Sequence, residues 1–304
     1  MTDIGAAKSG LMNIGEEAKP PFAILPDPNA LFLTRSERFT ELAPGHQLET
    51  YLTFLSGVTK AQHEIVPQLA PVVLPAADAI AQALAHGMPP LSFENLIDAT
   101  AADTVRALLG ALGKVVMPAE AAAAVQTLRA ASSETLTAIM SEALGVGSSK
   151  ADLPQRIFVT AGLQVHASRL AAKLDADALK PISDGVCPAC GSPPVASSVV
   201  GWPKANNSRF CTCSLCSTHW NVVRVKCALC SETGGISYQT IEGGSDAVKA
   251  ETCDKGRHYL KIAYQINHHK LEPFADDVAT VGLDMLMRED GWTRAGRNLF
   301  LLGY

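Results

Sequence analysis

No cysteine occurs in the first 186 residues of this 304-residue chain; all eight lie between Cys187 and Cys253. No excess of positive charge exists either: the formal net charge is −5, which argues against a protein that works by clinging to nucleic acid or to an anionic membrane. Long apolar runs are missing too. Pro71, Pro75 and Asp78 interrupt the longest candidate, around Val72 and Leu74, well short of the ~18 residues of a membrane span, so no membrane insertion is expected. The first twenty residues scatter Asp3, Lys8, Glu16, Glu17 and Lys19 and lack the basic start and apolar stretch of a secretory signal, which makes the cytoplasm the expected compartment. A nucleophile elbow, a phosphate loop and a dinucleotide fingerprint are also absent. The pairs Gly234-Gly235 and Gly243-Gly244 have neither the lysine nor the strand-turn-helix context such motifs need, and no enzymatic role is predicted. What remains is 47% apolar, enough for a sizeable core and, at this length, about two domains.

The two halves differ. Residues 22–30, Phe-Ala-Ile-Leu-Pro-Asp-Pro-Asn-Ala, form a Pro-rich extended lead where the ordered domain begins, after a flexible segment 1–21. From there to residue 180 the chain predicts six or seven helices, with no convincing strand alternation. Ile97, Ala101, Val105, Leu108 and Leu112 recur at spacings of three and four and share one face; Leu163, Ala167, Leu170 and Leu174 mark another such face. Asp152, two positions before Pro154, is a cap for that second helix. Composition shifts near Pro181 to Gly185, after which Gly, Pro, Ser, Cys and short β-type runs follow, at 195–200 and 221–225. The tail, 269–304, returns to helix, with Ala275, Val278, Val281, Leu283, Met285 and Leu286 as its apolar set and Gly291 as its stop.

The cysteines obey an arithmetic. They fall as Cys187-x-x-Cys190, Cys211-x-Cys213-x-x-Cys216, Cys227-x-x-Cys230 and Cys253; adding forty to 187, 190 and 213 gives 227, 230 and 253, while 216 gives Gly256. A CxxC(x22)CxxC unit has been duplicated and its second copy has lost one cysteine. Clustered CxxC pairs in a reducing compartment favour metal over disulfide, because two knuckles present four thiolates at the corners of a tetrahedron. The first expected site is Cys187, Cys190, Cys213 and Cys216; the second is Cys227, Cys230 and Cys253 with a further donor. His258 is the candidate for that donor, and Cys211 or a water molecule are the alternatives. Each module, 181–224 and 225–268, is too small for a real apolar core, so metal binding is expected to contribute much of its folding energy. Iron and zinc both accept four thiolates, and ligand type does not separate them.

Between Gly185 and Ser231 no Asp or Glu occurs, whereas Lys204, Arg209, Arg224 and Lys226 do. These cations either offset the negative charge of a metal–tetrathiolate centre or form a face for an acidic or phosphate-bearing partner, with Trp202, Phe210 and Trp220 as apolar anchors. The adjacent pair His268-His269 reads as surface. The predicted class is α+β: an N-terminal all-α helical domain, two tandem rubredoxin- or zinc-ribbon-like metal modules, and a C-terminal helix.

Several stretches resemble one family. Cys187-Pro-Ala-Cys-Gly-Ser-Pro-Pro-Val-Ala-Ser, Arg209-Phe-Cys-Thr-Cys-Ser-Leu-Cys-Ser-Thr-His-Trp and Val223-Arg-Val-Lys-Cys-Ala-Leu-Cys are similar to the bacterial formate dehydrogenase formation (accessory) protein E family, as are Leu25-Pro-Asp-Pro, Tyr51-Leu-Thr-Phe, Met88-Pro-Pro-Leu and Ala250-Glu-Thr-Cys followed by Tyr259-Leu-Lys. The resemblance spans nearly the whole chain. It implies a cytoplasmic maturation factor that binds the molybdenum- or tungsten-containing catalytic subunit of formate dehydrogenase, with iron in two rubredoxin-like sites and zinc as the alternative occupant. The net negative charge, for its part, predicts no nucleic-acid partner. Arg209, Trp220, Arg224 and Lys226 are the expected partner-facing residues. A rubredoxin-like electron-transfer protein acting in metalloenzyme assembly is the competing expectation. The family usually has a cysteine where this chain has Gly256.

Overall fold

The computed structural model describes residues 19–201 and 206–301; most of the segment 1–21, together with Trp202 and Lys204, lies outside the described residues. In chain order the first half runs β1 (Ala23–Ile24), α1 (Pro28–Leu42), α2 (Glu49–Ile65), α3 (Ala77–Ala85), α4 (Phe93–Leu96), α5 (Ala99–Ala111), α6 (Ala119–Ala130), α7 (Ser133–Ala143) and α8 (Leu153–Ala171). Eight helices stand among the described residues where six or seven were predicted, α4 being a single turn. The starts follow from local chemistry. Asp27 accepts from the Asn29 N–H ahead of Pro28, and Asp152 accepts from the Gln155 N–H at 2.9 Å, the predicted cap of α8.

Helix α8 differs from its prediction in kind. Every residue from Phe158 to Ser168 is buried, so it is the central rod of the helical domain rather than an amphipathic cover, and Leu174 lies beyond its end. Gly162 permits this, since a Cβ there would lie 2.9 Å from the Val105 Cα on α5. Ile97 likewise falls outside α5, as the cap of α4, while Ala101, Val105 and Leu108 form the buried stripe.

The second half contains β2 (Pro194–Val200), β3 (Ser208–Cys213), β4 (His219–Val222), β5 (Ile236–Gln239), β6 (Val248–Cys253) and β7 (His258–Ala263). Strands β3 and β6 are offset by forty residues, and each pairs antiparallel with its neighbours in the same way. The copies are fused. Parallel pairing of β2 with β7, at Ser197↔Ile262 and Ser198↔Ala263, makes one sheet of order β1-β4-β3-β2-β7-β6-β5. The extended lead supplies β1, which caps the outer edge of β4 at Ala23↔Trp220, a strand that the sequence reading missed because two residues carry no alternation.

The tail is broken where one helix was expected: α9 (Pro273–Ala279) and α10 (Val281–Glu289) meet at Thr280, followed by β8 (Thr293–Arg294) and a 3-10 turn at Leu299–Leu301. Gly291, at φ +77°, is the predicted stop. Met285 and Leu286 are exposed, and Met287 is buried in their place with Leu283. The tail bolts the two halves together. Arg35 of α1 donates to Glu272 at 3.0 Å and stacks 3.7 Å over the Phe274 ring, and Arg38 forks onto Asp276. On the other side Lys261 of β7 meets Asp284 at 2.6 Å and Asp277 at 3.2 Å, with Arg294 bonded to both carboxylates. One buried cation and one partly exposed one thus face two buried anions, which is what keeps such a cluster from being prohibitively costly.

Candidate metal centres

Each centre is built from two tight turns. In the first module the chain enters at Cys187, whose N–H donates to the Ser192 carbonyl while the Gly191 N–H returns to the Cys187 carbonyl. Closing that turn requires φ +74° at Gly191, as the Cys-Pro-x-Cys-Gly pattern predicted. The second module repeats the pair of bonds with Cys227 to Glu232 and Ser231 to Cys227, and Ser231 takes φ +56° without a glycine. The opposing turns also correspond, with positive φ at Ser217 and at Arg257.

The turns bring together Cys187, Cys190, Cys213 and Cys216 in one group and Cys227, Cys230, Cys253 and His258 in the other, with all donor atoms of a group within 4.8 Å. In the first, Sγ–Sγ separations are 3.6 Å (187–216) and 3.5 Å (190–213 and 190–216). A tetrahedron with metal–sulfur bonds of about 2.3 Å has edges of about 3.8 Å, whereas a disulfide would need about 2.05 Å. The spacing is that of metal ligands, and all eight cysteines are free thiols. In the second group Cys230 and Cys253 lie 3.7 Å apart and His258 Nε2 sits 3.2 Å from Cys227 Sγ, near the roughly 3.5 Å edge of a sulfur–nitrogen pair.

Electrostatics separates the members of each group. Thiol hydrogen bonds from Cys187, Cys213 and Cys216 hold Cys190 well below the usual thiol range, while burial pushes Cys187 and Cys213 well above it. Burial likewise pushes Cys227 up to about 12. A divalent cation held among these sulfurs would stabilise their thiolate forms against that burial. The sulfurs also receive donors. The Leu215 and Cys216 N–H groups approach Cys213 Sγ at 3.4 and 3.3 Å, whereas Cys216 Sγ itself donates to the Thr218 hydroxyl oxygen at 3.2 Å. Thr218 was overlooked in the sequence, although it stands forty positions before His258 and the repeat alone could have flagged it.

Cys211, the other proposed donor for the second site, belongs to neither group. It is fully buried on β3 in the main apolar core, and burial pushes its thiol up to about 12. His268 and His269 are exposed, as expected.

The basic stretch divides. Arg209 and Trp220, expected to face a partner, are 1% and 4% exposed. Arg209 turns into the seam between the modules, donating to Glu251 of β6 at 2.8 Å, to Ser197 of β2 and to the Lys226 carbonyl just before Cys227. It therefore holds the second centre's first knuckle to the first module. Trp220 pairs with Ala23 of β1 and packs in the main apolar core. Arg224 and Lys226, in the turn after β4, are exposed alongside Val223 and Val225.

A helical domain bolted to a duplicated sheet, with one group of four candidate metal donors in each repeat, defines a larger protein with two candidate metal centres rather than a small ribbon on its own. Comparison with known proteins specifies which. Family models described as FdhE, N-terminal, FdhE, central domain, and FdhE, C-terminal domain match residues 20–184, 186–224 and 225–301. A protein FdhE homolog of Rhizobium meliloti (strain 1021) is 40% identical over 294 residues, covering 96% of each chain. Protein FdhE of Shigella boydii serotype 18 is 34% identical over 285 residues, covering 93% of this chain and 91% of that one. The crystal structure of the FdhE protein from Pseudomonas aeruginosa superimposes with a TM-score of 0.84 at 30% identity, covering 93% of this chain and 99% of that one. The chain belongs to the FdhE family.

Proposed function

We propose that this chain is a non-catalytic maturation factor that binds the catalytic subunit of formate dehydrogenase in the cytoplasm, with Cys187, Cys190, Cys213 and Cys216 holding one metal ion and Cys227, Cys230, Cys253 and His258 a second. Family membership supports the accessory role in formate dehydrogenase formation. Among the described residues no helix is long and apolar enough to cross a membrane. The observation that carries the binding surface is the exposed turn Val223-Arg224-Val225-Lys226. It sets two cations and two solvent-facing valines beside a groove of about 190 Å³ lined by Phe22, Val222, Lys226 and Ser231. An apolar anchor ringed by charge is the composition of a protein-binding surface, and its sign suits an acidic or pterin-phosphate-bearing partner.

Iron at these thiolates supplies one-electron chemistry and zinc a structural staple. An electron-transfer reading requires iron, whose potential the knuckle N–H groups aimed at Cys213 would then tune. Capture of the formate dehydrogenase catalytic subunit by the tagged full-length chain tests the main reading. Arg224→Glu with Lys226→Glu is expected to abolish capture while the protein stays folded. Unchanged capture removes this turn from the account, and failure of the wild type to retain the subunit overturns the proposed partner. A zinc-filled protein with full accessory activity overturns the electron-transfer reading.

A further inference from the structure

The second centre differs from the first by a coupled exchange of two side chains. Where the first module has Cys216 and Thr218, the second has Gly256 and His258. The imidazole fills the volume that the missing cysteine would need: a Cβ built at Gly256 would lie 2.1 Å from both Cε1 and Nδ1 of His258. The ring reaches that place from a backbone turn of the same shape, with Arg257 at φ +49° where Ser217 has +60°, and it aims Nε2 at Cys227 Sγ. Glycine and histidine are thus one substitution in two parts, each untenable without the other. A side chain at 256 collides with the ring, and loss of the ring leaves three sulfurs around a gap.

Burial differs as well. All four donors of the first centre are buried, and its knuckles are clasped by the helical domain: Leu91 N–H to the Ala189 carbonyl at 3.1 Å, Gln164 to the Ser214 carbonyl at 2.8 Å. In the second centre Cys230 is exposed and His258 partly so, and the flanking contacts are surface ones, Ser231 to Asp184 and Lys255 to Glu232. An approaching ligand can reach an ion beside Cys230 without opening the fold. One thiolate fewer also leaves the centre one negative charge smaller, so its hold on a divalent ion is weaker.

We propose that the two centres are inequivalent: the second is an open site of three sulfurs and one nitrogen that exchanges a thiophilic divalent ion with external thiol-type or chelating ligands, while the first retains its ion. Exchange here is ligand substitution. Bonds from Cys227, Cys230, Cys253 and His258 to the ion give way to bonds from the incoming donors, any proton on an incoming thiol passes to solvent, and no electron moves. The inference rests on the reading of both groups as metal centres, and a metal count separates the two.

The full-length chain loaded with Zn²⁺ or Co²⁺ is challenged with a chromogenic chelator. Two ions per chain are expected to leave in two phases, the fast one at least about tenfold quicker. With cobalt, the ligand-field bands lost in the fast phase are those of a three-sulfur, one-nitrogen centre. His258→Ala is expected to hasten that phase and alter its bands. Gly256→Cys with His258→Thr rebuilds the first module's arrangement, and is expected to convert the bands to the four-sulfur type and slow the release. The double variant refills the vacated space and so reports even where His258→Ala misfolds. Fewer than two ions bound by the wild type overturns the metal reading itself. Two ions leaving in one phase, or wild-type bands already of the four-sulfur type at both centres, overturns the inequivalence.

Discussion

The two cysteine modules are copies of one design placed in different surroundings, and the surroundings decide what each does. Cys187, Ala189, Cys190, Cys213, Leu215, Cys216 and Trp220 belong to the same apolar cluster as the helical domain, with Phe32, Leu55 and Phe158. The first module was expected to lack a core of its own, and it shares one instead. The second module reaches that cluster chiefly through Ala228 and Leu260; otherwise it packs in two small apolar clusters, Ala250 and Tyr259 with Leu283 and Met287 of α10, and Val248 and Ala263 with Leu271, beside the charged bolts to α9 and α10. Duplication therefore gave one donor group buried in the body of the molecule and one at its rim. The lesson is that a ligand set alone does not define a site's role; what packs around it does.

The largest expected effect breaks that symmetry outright. Cys213→Ser removes one donor of the proposed first centre, at the junction of both halves, where a bound ion and the shared core would support one another. Structural tetrahedral sites supply on the order of 10 kcal/mol of folding free energy, comparable to the whole stability of a domain. The expected outcome is loss of the cooperative thermal transition. Cys253→Ser, its counterpart forty residues on, is expected to lose one ion yet keep a helical-domain transition. Equal collapse of both variants in calorimetry would show that the second module is no more peripheral than the first.

A smaller effect tests the seam. Arg209 is the one side chain among the described residues that bonds to β2, to β6 and to the carbonyl before Cys227, and its Glu251 partner is equally buried. Arg209→Met leaves Glu251 as an uncompensated buried charge, at a cost of about 3–5 kcal/mol. Arg209→Met with Glu251→Leu removes both charges and is expected to recover most of that loss. A single variant that unfolds at wild-type denaturant concentration would return Arg209 to the surface role first expected of it.

Arg209 also shows where sequence reading stops. The forty-residue period was readable because thiolates at fixed spacing have no other economical explanation, and the residues it grouped, with His258 beside the second set, lie together in the fold. Arg209 and Arg224 looked alike in sequence, two cations among cysteines. Their difference comes from the β2–β7 pairing, which buries one side of β3 and carries Glu251 to Arg209 from 42 residues away. No local pattern encodes that pairing. Helix α8 misled for a related reason: its apolar face was read correctly, but the polar residues opposite, Gln164 and His166, are buried too, because Gln164 is spent on the Ser214 carbonyl and His166 on the Asn95 carbonyl. The break at Thr280 was hidden because its hydroxyl serves the Asp276 carbonyl and the Lys261 ammonium, partners that exist only in the fold.

The smallest effect compares His219 with its counterpart Tyr259. Both lie at the start of the last strand of their module, first in β4 and second in β7, opposite a threonine, Thr212 in one and Thr252 in the other. Tyr259 donates to Asp284 and stays neutral well beyond physiological pH, whereas desolvation, with the Arg35 charge adding to it, lowers His219 to about 4 from an ordinary 6.5. The unfolded chain therefore binds a proton between those two values that the folded chain refuses. The neutral ring's contribution is complete above about pH 7, declines as pH falls through 6.5, and levels off below about 4. By pH 5 this amounts to up to about 2 kcal/mol, the imidazole being partly exposed. Protonation of the metal thiolates also weakens the protein in acid, so the measurement is a difference: wild type minus His219→Gln, each metal-loaded, unfolded by denaturant at pH 7 and pH 5. The variant keeps an amide that Thr212 can bond but has nothing to protonate. It is expected to lose less stability across that interval, and parallel losses in the two proteins would mean that the first module's acid sensitivity resides wholly in its sulfurs.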